Sequence, residues 1–386
     1  MFADYQNEIY ARGVAGVIPS LPVVLEELEE RAKEALPRDA YDYIAGGAGS
    51  EATVRSNLTA FHRWKIVPRM MRDVSKRSLD VNVLGIPLSS PVLLAPIGVQ
   101  SIAHEDGELA VARASRRTGV PYIHSTAATH SIEATASEVG ETPHWYQLYW
   151  PRDREITKSF LRRAEDSGYS ALVVTLDTRL LAWRERDLSS AYLPFLKGEG
   201  MGIYLTDPVF RSKLSKTPEE DLPAAIALWA DNFSDVSQTW DDLEFLRENT
   251  RLPIVLKGIL HPDDARQAMN CGVDGIVVSN HGGRQMDGAI SALDALPGIV
   301  NAVGRAFPVF FDSGIRRGSD VFKALALGAS AVFLGRPYMW GLTAGGEDGV
   351  CEVIKRLHAD LDLTMALAGC SNIEEISSDW LVEIEH

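Results

Sequence analysis

The loop Ser279-Asn280-His281-Gly282-Gly283-Arg284-Gln285 follows the apolar run Gly275 to Val278, so an imidazole and a guanidinium stand together just past a strand end. Histidine has an unperturbed pKa near neutrality and suits a base. Arginine's planar fork grips a carboxylate through two parallel hydrogen bonds. Other apolar runs end in the same way, with Gln147 and Tyr149, Thr175 and Asp177, Lys257, and Asp312. Singly, each has an ordinary structural reading, since a His or Tyr at a strand end is more often a satisfied packing group and a Lys a solvated cap. Jointly they imply a ligand, because polar groups converging on one apolar mouth are costly unless they bind something.

Two further strand ends carry a different signal. FDSGIRRGSD and FLGRP each place glycine and arginine just after an apolar run: Gly314 and Arg316, then Gly335 and Arg336. Amides freed by glycine, a helix N-terminus and a cation form a phosphate cradle. The ordinary alternative is a turn glycine beside a surface arginine. No Walker lysine motif and no GxGxxG after a first strand is present, so ATP and a Rossmann-bound NAD lack support. A phosphorylated cofactor lying across the mouth fits better.

The elements that must position these groups repeat from residue 91 onward as a short β-branched or aromatic run, a turn, and a helix-period stretch. Eight strand runs follow: 91–98, 121–126, 144–150, 171–177, 253–258, 275–280, 308–314 and 331–336. Eight alternating βα units predict an α/β fold, a closed (β/α)8 TIM barrel with its chemistry at the C-terminal strand ends. Residues 1–90 read as an N-terminal cap of the same domain, with helices near 22–36, around 40–49 and across 51–64, then a hairpin in SLDVNVLGIPLSS; the barrel takes 91–386. A long excursion between strands four and five, about 182–240, reads as a partly ordered lid over the mouth.

Composition bounds the class. With 386 residues, 46% of them hydrophobic, the chain can bury one large core. A net charge of -15 argues against nucleic acid and acidic membrane as partners. The three cysteines lack metal-ligand spacing, so no metal site and no disulfide framework is expected. The N-terminus lacks a secretory h-region, no run spans a bilayer, and the C-terminal EIEH is not a peroxisomal address, so a cytoplasmic enzyme is the default.

The motifs SNHGGRQ, YDYIAGGAG, APIG, QLYW, TLDT, LKG, DSGIRRGSDVFKALALGA and GRP resemble, in order and spacing, those of the FMN-dependent 2-hydroxy acid oxidases and dehydrogenases, over nearly the whole chain. The resemblance implies FMN as cofactor and a small 2-hydroxy acid anion and O2 as the other reactants. It implies that Ala95, Pro96, Ile97 and Gly98 stack on the flavin, that Ser125, Gln147 and Thr175 bond its polar edge, and that Lys257 faces its pyrimidine end. Gly314, Arg316, Gly335 and Arg336 would take the phosphate, and Asp312 the ribityl chain. It further implies His281 as base supported by Asp177, Arg284 and Arg184 on the substrate carboxylate, Tyr43 as another donor to it, and Tyr149 near the hydroxyl. The resemblance also implies a homotetramer or homo-octamer.

Within the family, DYQNEIYARGVAGVIPSLP, APIG and WRERD look most like the lactate 2-monooxygenase branch, which converts L-lactate and O2 to acetate, CO2 and water. Relatives that release the keto acid and hydrogen peroxide tend to have Ala at Gly98, and they remain the alternative. Small Ala127 and Ala128 replace larger residues of relatives, predicting a roomier substrate pocket, and His130 reads as a surface residue. A membrane-linked dehydrogenase would need a basic or amphipathic patch that the acidic lid lacks. A phosphate-binding isomerase on the same barrel would lack flavin colour.

Overall fold

In the computed structural model, which describes residues 1–233 and 235–384, eight parallel strands close into a barrel. They are β1 (Val92–Leu94), β2 (Tyr122–Ser125), β3 (His144–Leu148), β4 (Leu172–Thr175), β5 (Ile254–Ile259), β6 (Gly275–Val278), β7 (Val309–Phe311) and β8 (Ala331–Leu334). Each pairs in parallel with its sequence neighbours, and β8 closes onto β1 through Val332↔Val92 and Leu334↔Leu94. Every predicted strand run contains one. Most are shorter than the runs: Asp177, Asn280 and Asp312 lie past the strand ends, whereas Gln147, Thr175 and Lys257 remain within the ladder.

Strands buried on both faces need continuous apolar sequence, and Val-Leu-Leu, Leu-Val-Val and Gly-Ile-Val-Val supply it. The return helices are started by side chains that accept a backbone N–H: Ser131 before Ile132–Val139, Asp153 before Arg154–Asp166, Ser291 before Ala292–Val303. The last helix, Arg336–Ala368, runs 33 residues and breaks at Gly345 and Gly346.

The hairpin Val81–Val83 with Ile86–Leu88 leads straight into β1 and turns on Leu84 and Gly85, both at positive φ, the geometry of a tight two-residue connection. Its Val83 and Leu88 join the barrel-interior cluster of Leu93, Trp145, Val277, Phe310 and Phe333, and so stopper the N-terminal mouth. Trp145 meets Phe310 edge-on at 5.5 Å between ring centroids.

Helices Leu25–Ala35, Arg38–Ala45 and Ala52–Arg63 occupy the regions expected for them. A further helix, Asp4–Val14, and a two-stranded pairing of Trp64–Ile66 with Leu381–Glu383 were not anticipated. Asn57 and Asn280 exchange side-chain amide hydrogen bonds at 2.7 Å each, which pins the cap to the loop after β6.

Between β4 and β5 the chain is ordered by short pieces: Glu185–Ser190, Pro194–Lys197, Gly202–Leu205, Pro208–Ser212 and Leu222–Asn232. None of the first four is long enough to express a helical period. Met201, Tyr204 and Phe210 are nonetheless fully buried. Stacked Phe195 and Trp229 (4.8 Å), with Phe233 beyond, carry the lid's packing to Tyr149, whose ring lies 5.4 Å from Phe233. Among the described residues no helix is long and apolar enough to cross a membrane.

Candidate active site

The C-terminal mouth of the barrel opens into a cavity of about 910 Å³, its opening included. Tyr43, Ala95, Pro96, Ile97, Gly98, Tyr149, Arg184, Lys257, His281, Arg284, Asp312, Gly314, Arg316, Gly335 and Arg336 all line it. Ser125, Gln147, Thr175 and Asp177 are not among its lining residues; the first three sit on β2, β3 and β4, Asp177 follows β4 by two positions, and Thr175 lines a second, neighbouring cavity. Residues from Ala95 to Arg336, 241 positions apart, share one rim because parallel strands deliver their C-terminal ends to the same side, and the cap adds Tyr43 and the lid Arg184.

At the centre, His281 Nδ1 lies 2.7 Å from Asp177 Oδ1, and Nε2 faces the Tyr149 hydroxyl at 3.4 Å. The carboxylate fixes the tautomer with the proton on Nδ1 and leaves Nε2 free to accept. His281 itself adopts φ +59, followed by Gly282 at +67 and Gly283 at +77. Successive left-handed residues fold the loop back sharply, and a Cβ on Gly282 would come within 3.0 Å of the Arg336 guanidinium. The amides of Gly282 and Asn280 donate to Ser313 Oγ (3.0 and 3.3 Å), tying this loop to the one after β7. Sequence reasoning missed Ser313; its φ of +85, a value uncommon for serine, leaves no trace in composition.

Burial pushes the His281 imidazole below its ordinary pKa, only partly offset by Asp177, so it is neutral at neutral pH. Burial alone would raise the Asp177 carboxyl, but its contacts with the His281 imidazole, the Lys257 ammonium and the Thr178 hydroxyl hold it below the ordinary carboxylate value. Burial pushes the Tyr149 phenol up to about 12, which keeps it a donor. The ammonium of Lys257 lies 3.3 Å from Asp312 and 3.8 Å from Asp177, and donates to Ser279 Oγ at 3.0 Å. These carboxylates more than offset burial and raise its pKa, so the cation is secure. Asp312 is therefore a partner of Lys257 as well as a lining residue.

The arginines form a cationic arc. Arg284 donates to the carbonyls of Tyr43 (2.6 Å) and Gly46 (2.8 Å), with its guanidinium carbon 5.2 Å from the Tyr43 ring centre. Arg336 donates to Gly282 O and Gly46 O at 3.0 Å each. Arg184, on the lid, donates to Arg284 O at 3.0 Å and to the Gln285 side chain at 2.9 Å. Neither Arg284, Arg316 nor Arg336 forms an ion pair among the described residues. Burial, then mutual repulsion, lowers the Arg284 pKa to about 10 and that of Arg336 to about 9, and burial lowers that of Arg316. Half-buried cations without carboxylate partners fit an anionic ligand.

The opposite wall fits the polar edge of a planar heterocycle. Ser125 donates to Gln147 Oε1 at 2.7 Å, which aims the Gln147 amide; its Nε2 is buried without a partner. Arg336 Nε is likewise buried and unpartnered. A site with orphaned donors on one side, an apolar strip from Ala95 to Gly98 and unpaired guanidiniums on the other fits a flavin with its phosphate.

A model of the FMN-dependent dehydrogenase family matches residues 32–383. The chain belongs to that family. It is 46% identical to an FMN-dependent alpha-hydroxy acid dehydrogenase of Penicillium citrinum, covering 100% of this chain and 97% of that one. It is 42% identical to an L-lactate oxidase of Lysinibacillus sphaericus, covering 94% and 93%. The crystal structure of mandelate oxidase superposes with a TM-score of 0.83 at 39% identity, over 94% of this chain and 98% of that one. As a member of the FMN-dependent dehydrogenase family the protein uses FMN to oxidise a 2-hydroxy acid.

Two expectations are corrected. Ala127 and Ala128 are buried and do not line the cavity, so they do not enlarge it. The lid fills that space: Gly202 N donates to Ala128 O at 2.8 Å, and a Cβ on Gly200 would lie 2.8 Å from Ala127 O. His130 is three-quarters buried and sits 2.9 Å from the fully buried Glu108, which also accepts the amides of Gln100 and Thr129. It joins the loops after β1 and β2 and is only partly exposed.

Proposed function

We propose that the protein oxidises a small L-2-hydroxy acid with O2 as electron acceptor, L-lactate being the first candidate. The observation that carries this is the neutral His281, backed by ionised Asp177, in one cavity with two guanidiniums. In this reading Arg284 and Arg184 bind the substrate carboxylate, Tyr43 adds a donor, and the hydroxyl lies between Tyr149 and His281 Nε2. His281 takes a proton from the substrate, and Asp177 stabilises the imidazolium. FMN, when bound, supplies the two-electron acceptor and passes the electrons to O2. Ala95–Gly98 with Ser125, Gln147 and Thr175 would hold its ring, Lys257 would sit against its electron-rich end, and Gly314, Arg316, Gly335 and Arg336 would hold its phosphate.

The finer reading is retention of the keto acid, the lactate 2-monooxygenase outcome. The lid supports it, being seated through Phe195, Trp229 and Phe233 onto Tyr149. The names of the relatives support the competing reading, release of keto acid and hydrogen peroxide. Gly98 bears on this through the neighbouring loop: a Cβ there would meet the Ala127 Cβ and carbonyl at 2.7 Å, so a methyl acts by displacing the loop after β2. L-Lactate in air, with acetate and pyruvate quantified by NMR, decides between the two. Acetate supports retention, and Gly98→Ala should then raise the pyruvate share. Pyruvate with stoichiometric peroxide establishes an oxidase. No turnover of any 2-hydroxy acid by the yellow protein would overturn the whole reading. A homo-oligomer is proposed on the family resemblance alone.

A further inference from the structure

Thr178 touches both members of the His281–Asp177 pair. Its hydroxyl donates to Asp177 Oδ1 at 3.1 Å and lies 3.3 Å from His281 Nδ1. The imidazole uses the same Oδ1, at 2.7 Å. One carboxylate oxygen thus serves two donors. The other, Oδ2, is buried with no hydrogen-bond partner among the described residues, its nearest cation being Lys257 at 3.8 Å.

A carboxylate's terminal torsion is broad, so a single hydrogen bond leaves it free to pivot. Two donors arriving at one oxygen from different residues remove that freedom. Thr178 comes from the segment directly after Asp177, whereas His281 comes from the loop after β6. The hydroxyl therefore anchors the acid locally while the imidazole is delivered from a distance.

Thr178 also borders a second cavity of about 1060 Å³, opening included, lined by Trp150, Leu176, Phe233, Trp240 and Leu243. It stands between that space and the pair, and is itself 8% exposed. The charged or titratable groups facing His281 are Asp177 from the end of β4, Lys257 from β5, Tyr149 from the end of β3 and Arg184 from the lid.

We infer that Thr178 is a positioning residue: its hydroxyl, sharing Asp177 Oδ1 with His281, fixes the carboxylate and through it aims Nε2 of the imidazole into the reaction cavity. The inference rests on the reading of His281 as the base.

The test compares Thr178→Val, which keeps the shape and removes the hydroxyl, with Thr178→Ser and Thr178→Ala, all as flavin-loaded protein, and with His281→Asn as reference. Thr178→Val should lower kcat about tenfold with little change in KM, the loss expected for one hydrogen bond to a charged group. Thr178→Ser should recover most of it. Asp177, relieved of one donor, presses more charge on the imidazolium, so the acid limb of kcat/KM should move to higher pH in the valine variant. An unchanged kcat and acid limb in Thr178→Val would overturn the inference, as would equal losses in the serine and valine variants. If the valine variant does not fold, the alanine and serine variants read the same hydroxyl: alanine must show the loss and the moved limb, serine neither. Full turnover by His281→Asn would instead remove the base assignment beneath it.

Discussion

The two ends of the barrel are built from the same eight strands and differ in what each strand delivers. At the N-terminal end the hairpin residues Val83 and Leu88 meet Leu93, Trp145, Phe310 and Phe333 in an apolar plug. At the C-terminal end the same strands deliver Gln147, Thr175, Asp177, Lys257, His281 and Asp312. The first end is satisfied by packing alone. The second gathers charge that only partly pairs within the chain, and it adopts strained backbone at His281 and Ser313 to do so. Strain and unpaired charge together mark where the fold was shaped for a ligand.

That contrast can be broken by substitutions at each end. His281→Asn should cost the most, a loss on the order of 10³-fold in kcat with flavin still bound, since a positioned base contributes roughly 10²–10⁴; steady-state turnover with the absorbance spectrum as control checks it. Arg284→Lys keeps the charge but loses the fork, and should lower kcat/KM by about 10- to 100-fold, chiefly through KM. Leu88→Ala, at the plug, should reduce stability by about 2–4 kcal/mol in denaturant titration while leaving kcat as it was. An equal fall in kcat for Leu88→Ala would show that the two ends are coupled and would end the contrast.

The barrel was legible because its strands are buried on both faces and so spell continuous β-branched runs, and because the polar residues that close each run are the site itself. The place of Arg316 and Arg336 at the cavity was legible for the same reason. The pairing of Trp64–Ile66 with Leu381–Glu383 was not, since three residues carry no period and the partners are far apart in sequence. The pocket size was misjudged at Ala127 and Ala128 because small residues imply space only if nothing else enters it. Here the lid's Gly200 and Gly202 do, and their approach depends on tertiary packing that local sequence does not encode. Thr178 lay beside a recognised motif residue, yet a hydroxyl one position from an aspartate signals nothing until the imidazole is placed in space. The cap's part was hidden likewise, because Arg284 and Arg336 are held through backbone carbonyls of Tyr43, Gly46 and Gly282, which any residue supplies.

The arc of Arg284, Arg316 and Arg336 has a thermodynamic consequence. Three half-buried cations, with Arg336 repelled by the other two, make the folded chain less stable on its own than with an anion among them. A ligand that binds only the folded state adds RT ln(1 + [L]/Kd), about 4 kcal/mol at a thousand times Kd. In the proposed reading Arg336 would hold the flavin phosphate while it also clamps the cap through Gly46 O, so that increment would act on the contact between cap and barrel and make the phosphate a structural member of the protein.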